Sequence, residues 1–325
     1  MIVVTGAAGF IGSNIVAALN ARGHADILAV DSFQDASRAR PYLDTLQFHA
    51  RVDKDDLGRW LDTEGAGVAA IIHEGACTDT TVNDRAAVMA MNTDYTRMLW
   101  DWCSRMGRPL VYASSAATYG DGSRGYDDEV EPRALTPLNL YGESKHLFDC
   151  WALQQTSMPP RWAGLKYFNV YGPHEAHKGR MASVVFHAYH QIRETGRVKL
   201  FKSHRQGYTD GGQQRDFVYV DDAVEATLHL LQTPVSAQAP NGLYNVGTGQ
   251  ARTFADLGRA VFAALGRGPD IEYIPMPEDL RERYQYFTQA KVDKLRRSGF
   301  TRPFRSLEDG VRAYVAYLRG EESTR

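Results

Sequence analysis

Tyr141 and Lys145 stand four residues apart in the run Tyr141-Gly142-Glu143-Ser144-Lys145. On a helix that spacing puts a phenol and an ammonium on one face. A cation beside a phenol favours phenolate and brings it towards proton transfer near neutrality. Upstream, Ser115 sits in Ser114-Ser115-Ala116-Ala117-Thr118-Tyr119-Gly120, directly after a strand-like run, and offers a hydroxyl to the same substrate oxygen. A YxxxK alone is commonly surface decoration, so its weight depends on what else the chain carries.

At the start, Thr5-Gly6-Ala7-Ala8-Gly9-Phe10-Ile11-Gly12 ends the apolar run Ile2-Val3-Val4 and opens a helical pattern. Glycines 6, 9 and 12 permit a tight turn and close backbone approach to a pyrophosphate, with helix amides as donors. The pattern is GxxGxxG, with the middle glycine displaced from GxGxxG, so the turn by itself is a weak signal. Asp31 strengthens it, lying 19 residues past Gly12 at the end of the second strand-like run. A carboxylate there would hold an adenosine ribose. Asp31 favours the free 2′-hydroxyl of NAD, whereas Arg38 and Lys54 would meet the 2′-phosphate of NADP. NADP is the expected cofactor, held tightly, with NAD as the alternative. The cofactor-binding set comprises Gly6, Gly9, Phe10, Ile11, Gly12, Asp31, Ser32, Arg38 and Lys54. The segment Glu74-Gly75-Ala76-Cys77-Thr78, after the fourth strand-like run, completes it. Cys77 reads as a small packed residue, with no base beside it to make it a nucleophile.

The elements that must position these residues alternate. Ile2–Val4, Ile27–Val30, Leu46–Val52, Val68–His73 and Pro109–Ala113 are short apolar runs rich in β-branched residues, and Trp162–Asn169 is a sixth. Helical periodicity marks Phe10–Arg22, Asp84–Met106 and a stretch after Asp221. Such alternation predicts a doubly wound parallel α/β sheet of Rossmann type, with ligand at the strand C-termini. The second half predicts a smaller α/β unit, with helices over Gly179–Thr195 and Phe254–Leu265, the latter capped by Thr253. Lys202–Gln214 reads as an irregular loop and Pro234–Asn241 as a surface connection. The expected division is a cofactor unit, 1–171 with 216–240 returning to it, and a substrate unit, 172–215 and 241–325.

Composition sets the outer bounds. The 325 residues are 43% hydrophobic and 23% charged, which excludes a largely disordered chain. Lys+Arg 37 against Asp+Glu 39 leaves a net charge of -2, so no basic field points to nucleic acid or an anionic membrane. Cys77, Cys103 and Cys150 form no CxxC pattern, and neither a disulfide framework nor a thiolate metal site is expected. The run His174-Glu175-Ala176-His177 is not HExxH and has no third ligand, so no metal is expected. With no apolar run of membrane-spanning length and no room for a leader before Ile2, a cytoplasmic protein is predicted.

Taken in this order, the Gly-rich turn, the Ser-Ser-Ala-Ala-Thr-Tyr-Gly run and YxxxK resemble the extended short-chain dehydrogenase/reductase family over nearly the whole chain. That family acts largely on nucleotide-sugars. The resemblance implies active-site roles for Ser115, Tyr141 and Lys145, and puts Asn92 near the cofactor. The stretch from Tyr167 to Val184, containing Phe168-Asn169-Val170-Tyr171-Gly172-Pro173 and His177-Lys178-Gly179-Arg180-Met181-Ala182-Ser183, narrows it. It is similar to the subfamily that epimerises ADP-heptoses at C6, as are His73–Cys77, Arg215–Val220 and Arg283-Tyr284-Gln285. The closer resemblance implies an isomerase converting ADP-D-glycero-β-D-manno-heptose to its L-glycero epimer, for lipopolysaccharide core synthesis. Lys178 becomes the second acid/base group; Tyr141, Lys145, Val170 and Lys178 join the cofactor contacts, Lys145 at the nicotinamide ribose. Substrate contacts are Ser115, Asn169, Arg180, His187, Phe201, His204, Arg215 and Tyr284, with Arg215 pairing a diphosphate. A homo-oligomer is implied, a pentamer being one form it would take.

The chain departs from the subfamily at Lys202-Ser203-His204, where an acidic residue and Gly usually come after the Phe, and in a longer loop before Arg215. Two rival readings remain. Another nucleotide-sugar epimerase or a 4,6-dehydratase would have no reason to retain the run His177–Val184, and a dehydratase would carry an acidic pair where Ala116-Ala117 stand. A sensor that has lost its chemistry would have little reason to keep both Tyr141 and Lys145.

Overall fold

A computed structural model describes residues 1–34, 42–78, 84–281 and 284–320; Arg38 and Arg283 lie outside the described residues. Along the chain the elements are β1 (Ile2–Thr5), α1 (Phe10–Ala21), β2 (Ile27–Asp31), β3 (Ala50–Asp53), α2 (Leu57–Glu64), β4 (Ala70–His73), α3 (Arg85–Met89), α4 (Tyr95–Met106), β5 (Leu110–Ser115) and α5 (Leu140–Ala152). Next come β6 (Trp162–Tyr167), β7 (Asn169–Tyr171), α6 (Val184–Thr195), β8 (Val198–Phe201), β9 (Gln214–Tyr219), α7 (Val220–Gln232) and β10 (Gly242–Val246). The last are β11 (Ala251–Thr253), α8 (Phe254–Ala264), β12 (Ile271–Ile274), α9 (Glu278–Arg281), α10 (Asp293–Arg297) and α11 (Leu307–Leu318).

Seven parallel strands form the main sheet in the order β10-β6-β5-β4-β1-β2-β3. The chain winds outward from β1 to β3, then jumps back to β4, so a crevice opens between the C-termini of β1 and β4. Continuous apolar strands are what two covered faces require. Val3 packs with Leu28, Trp100 and Phe148 beneath α4 and α5, while its neighbour Val4 packs with Ile15 and Val224 beneath α1 and α7. Both valines are fully buried. A third core, built from α6, α8, α11 and strands β8 and β9, gathers Tyr189, Leu200, Val261 and Tyr314. Two small sheets, β11-β9-β7 and β12-β8, serve that half.

Several expectations need correction. The third strand begins at Ala50, not Leu46; Leu46 and Phe48 instead pack under the core of α1. Trp162–Asn169 is not one strand: the chain leaves the main sheet at Phe168, and β7 pairs with β9. The helical stretch 84–106 is interrupted by a π-helical turn at Ala90–Asp94. The expected helix from Gly179 is a 3-10 segment, Ala176–Met181, broken where Gly179 takes φ 53° and ψ −124°. The α-helix proper starts at Val184, with Ser183 accepting from the Phe186 amide. Strand β10 lies beside β6, so the return to the main sheet runs to Val246, past the expected 240. Thr253 caps α8 as expected, in a reciprocal box with Asp256. Among the described residues no helix is long and apolar enough to cross a membrane.

Candidate active site

The turn after β1 has room for glycine only. Gly6 adopts φ +64°, and a Cβ there would lie 2.7 Å from the Gly75 amide nitrogen; a Cβ on Gly12 would lie 2.0 Å from the Gly6 oxygen. Bare backbone therefore lines the crevice at the head of α1, a cradle that fits a dinucleotide pyrophosphate. Gly9 precedes α1 and donates to the Gly6 carbonyl at 2.9 Å. Asp31 faces this turn, accepting from Ala8 N at 3.0 Å and Ser32 N at 2.8 Å. The Lys54 amide donates to the Asp31 carbonyl at 2.9 Å, while its ammonium pairs with Asp55. Ser32 and Lys54 thus gather at Asp31.

A polar relay fixes the other wall. Thr96 donates its hydroxyl proton to the Asn92 carbonyl at 2.8 Å and so accepts from His73 Nε2 at 2.9 Å. His73 Nδ1 then accepts from Thr5 Oγ1 at 2.6 Å, and Thr5 accepts from the Gly75 amide at 3.2 Å. Burial, aided by the charge of Lys145, pushes His73 down to about 3, so the ring stays neutral. Asn92 sits in the π turn and binds both backbone groups of Cys77, at 2.7 and 3.0 Å, and donates to Ser144 Oγ at 2.9 Å. It connects the segment after β4 to the helix that carries Lys145. Turns of this kind recur at functional sites.

Helix α5 presents Tyr141 and Lys145 towards Ser115 at the end of β5. Asn139 starts it by accepting from Gly142 N at 2.8 Å. The Tyr141 phenol is held above its ordinary value by burial, with a Ser115 hydrogen bond opposing and the Glu74 charge reinforcing. The expected lowering by Lys145 does not prevail. Lys145, 3% exposed, is brought down to about 8 by burial, against the fields of Glu74 and Asp149. Glu74 is pushed up to about 8 by burial, eased by a hydrogen bond from Tyr167 at 2.9 Å and by Lys145. Sequence reading assigned Glu74 to the cofactor and missed this pairing; its partner Tyr167 comes from β6. Gly75, Ala76, Cys77 and Thr78 continue from it along the crevice wall.

Lys178 arrives from a different direction. Its ammonium lies 5.1 Å over the ring of Phe10, at the head of α1. Burial lowers its proton affinity and the Glu175 carboxylate raises it. The segment is pinned to α1 and Tyr42: His174, at φ 71°, stacks on Tyr42 at 4.3 Å and meets Ser13 Oγ at 3.0 Å, and Asn14 donates to the Pro173 carbonyl at 3.0 Å. These contacts give His174 a packing role. Val170 packs beside Ile11 at the edge of two cores.

Two adjoining cavities of about 140 and 340 Å³ share Leu138, Tyr284 and Gln285, and Ala117 lines the smaller. Arg215 lines the smaller and His204 the larger. Arg215 is buried, donates to the Gln214 carbonyl at 2.8 Å, and lies 5.1 Å over Tyr284 and 5.7 Å over Phe254. No carboxylate pairs with it among the described residues. A buried guanidinium flanked by rings is a ready anion site. Its neighbour Asp216 is occupied structurally, accepting from Thr248, Gly249 and Ala290 amides. Phe201 meets Tyr284 edge-on at 6.3 Å, and His204 Nδ1 bonds Tyr286 at 2.9 Å. Sequence reading missed Arg205, Arg281 and Tyr286, which also line the larger cavity. Asn169, Arg180 and His187 do not line these two cavities; Asn169 and Arg180 are exposed, and His187 lies on α6 against Phe186.

The chain is similar to known proteins over nearly its whole length. The chain is 48% identical to the ADP-L-glycero-D-manno-heptose-6-epimerase of Fusobacterium nucleatum, covering 99% of each chain. It is 48% identical to that of Nitratidesulfovibrio vulgaris strain DP4, covering 97% of each. The crystal structure of Helicobacter pylori ADP-L-glycero-D-manno-heptose-6-epimerase superposes with a TM-score of 0.79 at 27% identity, covering 98% of this chain and 96% of that one. A Thermus thermophilus UDP-glucose 4-epimerase complex with NAD gives 0.77 at 29% identity, covering 98% and 99%. With residues 2–247 matching the family model as well, the chain belongs to the NAD dependent epimerase/dehydratase family.

Proposed function

We propose that this chain converts ADP-D-glycero-β-D-manno-heptose to ADP-L-glycero-β-D-manno-heptose by transient oxidation at C6. What supports the reading is the placement of two separate candidate acid/base groups on different segments. Tyr141 comes on α5 beside Ser115, and Lys178 on the loop before α6, over Phe10. The names of the relatives at 48% identity support the same substrate.

C6 of this heptose has no adjacent carbonyl, so direct proton removal from carbon is unfavourable. When bound, the nicotinamide supplies reversible hydride acceptance, which makes a planar ketone at C6 available. A carrier fixed on one side reaches both faces only if the C6 end of the sugar turns over. Its oxygen then points at Tyr141 in one orientation and at Lys178 in the other. In a given direction the group facing the first orientation would take the hydroxyl proton and the group facing the second would give one to the ketone oxygen, with proton exchange with solvent resetting the pair; the hydride removed is the hydride returned, so no net redox change results. Ser115 hydrogen-bonds the oxygen on the Tyr141 side, and Lys145 supplies positive charge behind it. Arg215 pairs with the substrate diphosphate. Gly6, Gly9 and Gly12 would hold the cofactor pyrophosphate, and Asp31 the adenosine ribose.

The proposal includes NADP as cofactor with NAD as the alternative, a homo-oligomeric cytoplasmic enzyme, and a substrate unit built on the core of α6, α8 and α11. The test is NMR of purified protein with ADP-D-glycero-D-manno-heptose and no added cofactor. The L-glycero epimer should appear. Rescue by added NADP⁺ or NAD⁺ would remove only tight retention, and no epimer under any condition would overturn the reading. Tyr141→Phe and Lys178→Met should each slow epimerisation by at least ~10²-fold; wild-type turnover in both would remove the two-group mechanism.

A further inference from the structure

Glu175 has no solvent access, and no ion pair involves it among the described residues. Its carboxylate is met by donors from both ends of the loop that carries Lys178. The Gly172 amide donates to Oε1 at 3.3 Å, the Ser183 amide to Oε2 at 2.6 Å, and the Ser183 hydroxyl to Oε1 at 2.6 Å. Tyr314, from α11, adds its phenol to the same carboxylate. Within the loop, the Lys178 amide donates to the Glu175 carbonyl at 2.9 Å. The Ser183 hydroxyl also accepts from Phe186 N at 3.2 Å, so the carboxylate orients the cap of α6. Four donors and no acceptor surround it. Only a carboxylate satisfies that set, because an amide would set its NH₂ against other donors.

We propose that Glu175 is the positioning residue of the second acid/base group: it closes the loop from Gly172 to Ser183, holds the Lys178 ammonium over Phe10, and governs only the half-reaction in which Lys178 moves the proton. The inference rests on the two-group reading above. Geometry and charge act together here. The carboxylate fixes where the loop can go, and its field opposes the burial that lowers the proton affinity of the ammonium. Tyr141, on α5, shares none of these contacts.

The test separates the two half-reactions. Holoenzyme is mixed rapidly with either ADP-heptose C6 epimer, and the fluorescence of reduced nicotinamide is followed. Lys178→Met provides the reference, losing oxidation of one epimer and retaining that of the other. Glu175→Gln, with a melting temperature near wild type, should lose about 30-fold or more with the same epimer and less than about 3-fold with the other. Its steady-state kcat should fall with KM little changed. Equal loss with both epimers, or no loss, would overturn the proposal. Tyr314→Phe removes one donor and leaves the ring of contacts closed; it should lose about 3- to 10-fold with the same epimer alone. If Glu175→Gln does not fold, Tyr314→Phe decides, and an equal or absent effect there overturns the proposal. If Lys178→Met itself slows both epimers equally, the two-group reading fails first, and that outcome is distinct from failure of Glu175 alone.

Discussion

Asp149 and Lys166 form an ion pair of 3.1 Å whose side chains are 0% and 1% exposed. Asp149 also accepts from the Tyr112 hydroxyl at 2.9 Å and the Ser114 hydroxyl at 2.6 Å. Lys166 donates to Thr118 Oγ1 at 2.6 Å, and Thr118 donates to the Ser115 carbonyl at 2.8 Å. The network therefore ends on the backbone of Ser115. On α5, Asp149 lies one turn beyond Lys145 and favours its charged form. A buried pair is not by itself a large source of stability, but losing one partner strands the other.

Lys166→Met should accordingly destabilise the protein by about 3–5 kcal/mol, because Asp149 remains as an uncompensated buried carboxylate. Lys166→Met combined with Asp149→Leu should recover part of that loss. Denaturant titration at fixed cofactor load measures both. A single-variant loss below about 1 kcal/mol would mean that the pair does not hold this part of the core.

Gly12→Ala tests the cofactor cradle. The added methyl meets the Gly6 carbonyl head-on, within a turn already held between β1 and β4. Relief requires α1 to move away from the sheet, at a cost of about 1–3 kcal/mol. The purified variant should carry little cofactor, read from the absorbance of released nucleotide. Full occupancy would show that the turn tolerates displacement.

What could be read from the chain was local. Tyr141 and Lys145 share a helix face because of their spacing, Asp31 comes after the Gly-rich turn at a fixed interval, and Thr253 declares its helix through Asp256. Sheet membership was not local: nothing in Trp162–Asn169 says that Phe168 turns the chain from one sheet into another. Gly179 belongs to a helical pattern by composition but sits at a non-helical kink. Partners of the buried carboxylates lay furthest out of reach. Glu74 finds Tyr167 across the crevice, and Glu175 finds Tyr314 from the last helix, each a contact made by topology rather than by neighbours in sequence. Asp149, one turn after Lys145, was the one such residue that helix spacing could have flagged.

Glu74 gives a pH dependence with a definite sign. Its proton affinity rises from 4.5 to about 8 on folding, so between those values the folded protein holds a proton that the unfolded chain has released. The contribution is fully present below 4.5 and disappears as pH rises through about 8. Glu74→Gln cannot ionise, and comparison with wild type cancels most of Lys145's own titration. The variant should therefore gain stability relative to wild type between about pH 5 and pH 9, by on the order of 3–5 kcal/mol. Parallel stability–pH curves for the two proteins would contradict a raised proton affinity at the half-buried Glu74.

Arg215 should separate binding from stability. Its guanidinium is buried, burial lowers its proton affinity, and the groups around it are rings rather than carboxylates. A cation desolvated in this way costs the free protein stability, offset in part by stacking on Tyr284 and Phe254. A buried cation among rings is a ready site for an anion that arrives from outside, and the cavity beside it is also lined by Ala117 and Asn139. Replacing it with Met keeps the apolar contacts and removes the charge. Arg215→Met should stay within about 1 kcal/mol of wild-type stability, while KM for the nucleotide-sugar rises at least ~10-fold, as loss of a charge-assisted pair predicts. Calorimetric titration with ADP alone should weaken in parallel. If stability collapses while ADP affinity survives, the guanidinium is a structural clamp like Asp216, and the diphosphate must be held elsewhere in the crevice.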